Sequence, residues 1–297
     1  MKKALIVIFL HFVCVSLFAE QLHVVTTYPY IASIVEQIGA KNVRVHPLAD
    51  GEWDPHTILP KPSFIAHLRR ADLLIINGAQ LEIGWLPPLM KQSNNPKISV
   101  GGQGLFDLSR FVQLIDIPVG VSRAHGDIHP DGNPHYYLDP HNIPLIANAI
   151  MEKLCDLDPA GASDYRKNHA LFINKWETRL TQWDKALVKL KGIAVIEYHK
   201  IYDYFLRRYG IELLGTVETL PGIPPTSKHI EELETKLQTS TVQFILQDVY
   251  NPDGASLHLA HKHNIKCIKL PHDVGAVREA EDIFSLYDEI VRRLTNE

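Results

Sequence analysis

The sequence predicts an α/β protein of two small parallel-sheet lobes joined by one long helix. Two observations carry this. Short apolar runs alternate with helical stretches, and the same rhythm occurs twice along the 297 residues. Strands alternating with helices imply parallel sheets with helices on both faces. Between the two halves lies one apolar stripe long enough to be a connecting rod.

The chain opens with MKKALIVIFLHFVCVSLFA, residues 1–19. Lys2 and Lys3 make a basic start, an apolar run follows, and Ala19 offers a cleavage point, which is the layout of a secretory signal peptide. Cys14 raises lipid anchoring. Val13 is larger than the small residue usual before a lipidated cysteine, and the apolar run continues past Cys14, so simple cleavage is expected. Export to the periplasm or an equivalent space follows. Cleavage leaves 278 of the 297 residues, and of the 30 Lys and Arg it removes two, leaving 28 against 34 acidic residues. A mildly acidic chain has no broad basic field for nucleic acid. No later apolar run is long enough to span a bilayer, so the processed chain is expected to be soluble, and a monomer.

Residues 20–157 form the expected N-terminal lobe. Its strands are LHVVTT, VRVHPL, ADLLIING and KISV, with helices over 31–38 and 63–70. Residues 158–191 are the linking helix. Asp158 suits an N-cap and Pro159 the first helical position. Tyr165, Phe172, Trp176, Leu180, Trp183, Leu187 and Leu190 then recur three or four apart, and Gly192 can end the helix. Such a rod, about 50 Å long at 1.5 Å per residue, suits a spine packed along both lobes. Residues 192–297 repeat the first rhythm with IAVIEY, IELLGTV, QFILQD and KCIKL, and helices near 201–209 and 228–237. Only Cys155 and Cys267 remain after cleavage, too few and too far apart for a disulfide scaffold.

Several chemistries are excluded by pattern. GGQGLF at Gly101 lacks the third glycine of a dinucleotide fingerprint, and no phosphate loop, His-Glu-x-x-His or Gly-x-Ser-x-Gly motif is present. Sixteen histidines are the compositional oddity. His56 in GEWDPHTILP, His135 in GNPHYYLDP and His199 in IEYHKIYDYF all follow strand ends, where open α/β sheets collect ligands. Two come from the first lobe and one from the second, so they can converge on a metal site at the lobe interface. An oxygen donor would complete a three-nitrogen, one-oxygen shell. Asp273 in IKLPHDVGA is the first choice, with His272 and Asp248 as rivals from neighbouring strand ends. His258, His261 and His263, with Cys267 beyond, have zinc-like spacing but read as exposed residues near a helix end. His125 and His129, in a Gly- and Pro-rich loop over 116–134, are expected to be solvated.

At these residues the chain resembles the zinc- and manganese-binding solute-binding proteins of ABC transporters, the ZnuA/TroA-like family. Asp54-Pro55-His56, the run from His135 to Pro140 and the run from His199 to Phe205 resemble its three ligand motifs, in order. The segments 77–82, 85–86 and 221–227 resemble further parts, so the likeness covers nearly the whole processed chain. It implies two α/β lobes joined by a long helix, with His56, His135, His199 and Asp273 as ligands. Two departures stand out. The acidic residue usual shortly after the first ligand is replaced by Thr57-Ile58-Leu59-Pro60, and the histidine-rich loop is reduced to His125 and His129.

The function so implied is capture of a divalent transition metal, zinc first and manganese next, for delivery to an ABC-transporter membrane permease. No catalysis is expected. The rivals are a secreted zinc hydrolase, for which Glu197 is the one tempting base, and an adhesion or interaction protein with a structural metal.

Overall fold

A computed structural model describes residues 21–118, 129–220 and 222–295. The leader with Cys14, His125 and Pro221 lie outside the described residues. The N-terminal sheet has four parallel strands in the order β2-β1-β3-β4, where β1 is Leu22–Thr26, β2 Val43–Pro47, β3 Leu73–Ile76 and β4 Leu105–Asp107. The C-terminal sheet repeats that order as β6-β5-β7-β8, with β5 at Ala194–Glu197, β6 at Glu212–Thr216, β7 at Val242–Gln247 and β8 at Lys266–Lys269. Central strands are almost wholly apolar because helices cover both faces. Leu73, Leu74 and Ile75 of β3 are fully buried, and Val24 of β1 pairs with both Val45 and Leu73.

Nine α-helices lie among the described residues. In the first half these are α1 (Pro29–Gly39), α2 (Pro62–Arg70), α3 (Leu86–Ser93) and α4 (Ile143–Leu157). Each of these four has a proline in its first turn, where the missing N–H costs nothing and φ is preset. Then come α5 (Ala162–Leu187), α6 (Asp203–Tyr209), α7 (Ser227–Thr239), α8 (Gly254–His263) and α9 (Ile283–Thr295). No described helix is long and apolar enough to cross a membrane.

The linking helix α5 has 26 residues, about 39 Å at 1.5 Å per residue. It starts later than the sequence predicts. Asp158 closes α4 and accepts a hydrogen bond from Tyr165 Oη at 2.7 Å, so it is not the N-cap. The predicted stripe is buried: Tyr165, Phe172, Trp176, Trp183 and Leu187 all face inwards. Trp176 Nε1 donates to Pro140 O at 3.0 Å, and Asn168 Nδ2 donates to Ile38 O at 3.0 Å. Towards the other end, Tyr209 Oη of α6 donates to Asp184 at 2.8 Å. The helix therefore touches parts of both lobes.

Two further differences have local causes. KISV is not a strand: Asn95 accepts from Lys97 N and Pro96 opens a 3-10 turn at Pro96–Ile98, so the edge strand forms later, at β4. The terminal helix α9, whose sequence belongs to the second half, packs on α1 and α5. Ile283 N donates to Ser33 Oγ at 3.0 Å, Trp183 Nε1 to Asp288 at 2.8 Å, and Tyr287 Oη to Tyr137 O. The larger buried cluster consequently runs through both lobes without a break.

Candidate metal centre

His56 and His199 stand on loops beyond the carboxyl ends of strands, and His135 stands in the long connection before α4. His56 follows β2, His135 precedes a 3-10 turn at Tyr136–Leu138, and His199 comes two residues after β5. The structure brings these three together: one donor atom from each lies within 4.8 Å of the others. Their ring centroids are 5.0 to 5.8 Å apart. His135 and His199 are buried, and His56 is nearly so at its ring.

Hydrogen bonding shows what the rings are aimed at. His56 Nδ1 meets Asp54 Oδ1 at 2.9 Å and His199 Nδ1 meets Glu218 Oε2 at 2.7 Å. A carboxylate behind an imidazole fixes its tautomer and leaves the other nitrogen's lone pair free for a cation. His56 Nε2 and both ring nitrogens of His135 are buried without a partner. Orphaned buried nitrogens are costly, and a cation in their midst removes that cost. Thr57 Oγ1 donates to Asp54 Oδ2 at 2.9 Å, so the threonine braces the carboxylate from behind.

Each loop is stiffened by its own sequence. Asn133 Oδ1 accepts from His135 N at 2.9 Å, while Asn133 Nδ2 reaches Lys200 O at 3.2 Å in the other lobe. Tyr136 Oη donates to Asn77 O at 2.5 Å and Tyr137 stacks on Tyr30 at 4.2 Å. Asp139 does not start the following helix: its carboxylate accepts from His141 N and from Arg208. His141 is half-buried and meets Asp184 at 3.1 Å.

Electrostatics separate the three. Burial, then the neighbouring His56 and His199, holds His135 well below the ordinary histidine range, so it stays neutral. Burial also lowers His199, but the hydrogen bond and charge of Glu218 outweigh it and the net shift is upward. Burial raises Asp54, yet its bonds with His56 win and bring it down to about 2. A cavity of about 410 Å³ opens onto the cluster, lined by Asp54, His56, Tyr198, His199, Glu218 and Tyr250 among others.

The fourth predicted residue, Asp273, is not in the group. Its Oδ1 accepts from Tyr30 N at 2.7 Å and from Val274 N at 2.7 Å, so it caps α1, which has no cap of its own. Burial pushes its carboxyl well above the usual range. The rivals are also otherwise engaged. Asp248 accepts from Asn251 at 2.8 Å, and His272 Nε2 lies 3.1 Å from Trp53 O. Glu197 is fully buried, with Oε2 accepting from Ile201 N and Tyr202 N; it holds the turn into α6.

His258 sits 3.7 Å from Glu234, and among the described residues no group besides the three histidines has metal-holding geometry. Cys155 and Cys267 are both free. His129, expected in solvent, has a buried Nε2 without a partner and lies 5.4 Å from His56, ring to ring. Burial, then His56 and His199, lowers it to about 3. Glu218 was not singled out by sequence, although it too lies just beyond a strand, β6.

Comparison with known proteins finds relatives over most of the chain. The chain is 26% identical over 230 residues to the manganese ABC transporter substrate-binding lipoprotein PsaA of Streptococcus pneumoniae, covering 75% of this chain and 71% of that one. It is 23% identical over 281 residues to the high-affinity zinc uptake system protein ZnuA of Bacillus subtilis, covering 92% and 85%. A crystal structure of ZnuA superimposes with a TM-score of 0.77 at 22% identity, covering 93% of this chain and 99% of that one, which establishes the shared fold. The sequence profile of the ZnuA family, described as zinc-uptake complex component A, periplasmic, matches residues 24–297. With three imidazoles gathered between two such lobes and a profile match over nearly its whole length, the chain belongs to the ZnuA family of zinc- and manganese-binding ABC-transporter solute-binding proteins.

Proposed function

We propose that the chain captures a divalent transition metal outside the cytoplasm and delivers it to an ABC permease, with zinc preferred and manganese second. His56, His135 and His199 are the ligands in this reading. Asp273, expected to supply an oxygen, lies outside the three-histidine group, with Oδ1 accepting from Tyr30 N at the start of α1 and from Val274 N. The observation that carries the reading is the convergence of three imidazoles from both lobes, with His56 Nε2 and both ring nitrogens of His135 buried and unpartnered. Imidazole donors select against magnesium and calcium, which prefer oxygen. The carboxylates of Asp54 and Glu218 offset the cation's charge from behind the rings. The hydrolase alternative would rely on Glu197 as base, and its Oε2 already accepts from two backbone N–H groups at α6.

Calorimetric titration of the processed chain with zinc tests this. One ion per chain is expected. His135→Ala should weaken binding by at least about 100-fold while the circular dichroism of the apo protein stays unchanged. Unaltered affinity in that variant refutes the ligand set.

A further inference from the structure

Of the three imidazoles, His135 is the one with nothing bonded behind its ring. His56 and His199 each meet a carboxylate at Nδ1, whereas both ring nitrogens of His135 are buried without a partner. Its aim is therefore set by its packing and by the backbone that carries it. One residue grips that segment on both sides. Asn77 Nδ2 donates to Pro134 O at 3.1 Å, one residue before His135, and Asn77 O accepts from Tyr136 Oη at 2.5 Å, one residue after it.

Asn77 is held in turn by Glu82. Strand β3 ends at Ile76, and the chain then passes through Gly78, Ala79 and Gln80 at φ of +80°, +48° and +62°. L side chains disfavour this left-handed region. Two of the three residues are not glycine, so the turn persists only where its surroundings hold it. Glu82 does so. Its Oε1 accepts from Asn77 N and from Thr27 Oγ1, both at 2.7 Å, and its Oε2 accepts from Gly78 N at 3.1 Å. Tyr30 Oη adds a bond to Asn77 Oδ1 at 2.7 Å. Thr27, Asn77 and Glu82 are all buried, so removing one partner leaves the others unsatisfied.

We infer that Glu82 is a positioning residue of the metal site: by pinning Asn77 at the head of the left-handed turn, it fixes the segment that presents His135. This rests on the carrier reading above and adds to it a residue whose three bonds go to Thr27, Asn77 and Gly78 and not to a metal-binding histidine. A segment freed from this grip has to be ordered again when the cation binds, so the loss shows as weaker affinity.

The experiment titrates the processed full chain with zinc by calorimetry and follows apo stability by urea unfolding. Titrations are run at pH 8, where a carboxyl that burial raises to about 7 is ionised. Glu82→Gln keeps the shape but sets an amide N–H against a backbone N–H; it should still bind one zinc, about 3- to 30-fold more weakly. Thr27→Val, a milder change, should weaken binding in the same direction, and Thr27→Ser, which keeps the hydroxyl, should recover most of that loss. Asn77→Asp sets a carboxylate against Pro134 O. Combined with Glu82→Gln, it should cost less than the two changes multiplied, because both act on one route. Leu154→Ala, at the far end of α4 from His135, separates positioning from general loosening: it should lower apo stability and leave zinc affinity within about twofold. Parent-like affinity in folded Glu82→Gln, or in Thr27→Val should Glu82→Gln not fold, overturns the inference. An equal loss of affinity in Leu154→Ala, or fully multiplicative effects at Glu82 and Asn77, overturns it as well. A parent protein that takes up no zinc refutes the carrier reading itself.

Discussion

Glu218 governs the proton on His199, and through it the cation. The 2.7 Å contact to His199 Nδ1 raises that imidazole's proton affinity despite its burial. A cation must displace that proton whenever the pH lies below the raised value. Zinc affinity should therefore begin to fall at a pH above the ordinary histidine value of about 6.5, with release of about one proton per ion. Glu218→Gln keeps the shape and removes the charge. It should cost about 10- to 100-fold in zinc affinity at high pH, and the onset of the pH dependence should move down. Titrations from pH 5 to 8.5 read both effects; an onset that stays put in the variant contradicts this account.

Among the elements, α1 is the one whose start depends on a distant residue. Its first turn holds Pro29 and no acidic side chain, and Tyr28 provides no side-chain cap. Asp273, 243 residues along the chain from Tyr30, accepts the Tyr30 N–H instead. Losing a cap typically costs about 1 kcal/mol. Asp273→Ala should lower apo stability by about that amount, read by urea unfolding, and leave zinc affinity within about threefold. A large loss of affinity with unchanged stability would restore Asp273 to the ligand set. The strands, in contrast, carry the site by position alone: β2 and β5 end where His56 and His199 begin to be useful.

At the scale of the whole molecule, one core joins both lobes. Trp176, fully buried, contacts Phe172, Trp183, Phe284 and Tyr287, so α5 and α9 are bound by a single aromatic cluster. Metal-free protein should be acid-sensitive as a unit. Burial lowers His135 well below its ordinary value and His272 to about 4. The unfolded chain takes up these protons near pH 6.5 while the folded chain refuses them, so stability falls as pH drops below 6.5. For His272 the loss runs down to about pH 4. Each such histidine contributes up to about 1.4 kcal/mol per pH unit. His199 has the opposite sign: its contribution is full below 6.5 and lost as pH rises through the raised value. Urea midpoints of the apo protein at pH 7 and 5 check this, and equal midpoints refute it.

The sequence by itself determined the two lobes, the linking helix and the three histidines. Each of those is written locally, as apolar runs alternating with helices, a stripe at helical spacing, and an imidazole just past a strand. Tertiary structure decided what those residues face. The bond from Asp273 to the start of α1 was not legible because a hydrogen bond spanning 243 residues has no local signature. The ring of His129 came to lie beside His56 because burial depends on neighbours from other loops, and Glu218 entered only once β6 lay beside β5. KISV failed as a strand for a local reason, the Asn95-Pro96 turn signal being stronger than four residues of apolar pattern. The crossing of α9 onto α1 and α5 was hidden because an amphipathic helix shows that it has a partner, but not which one.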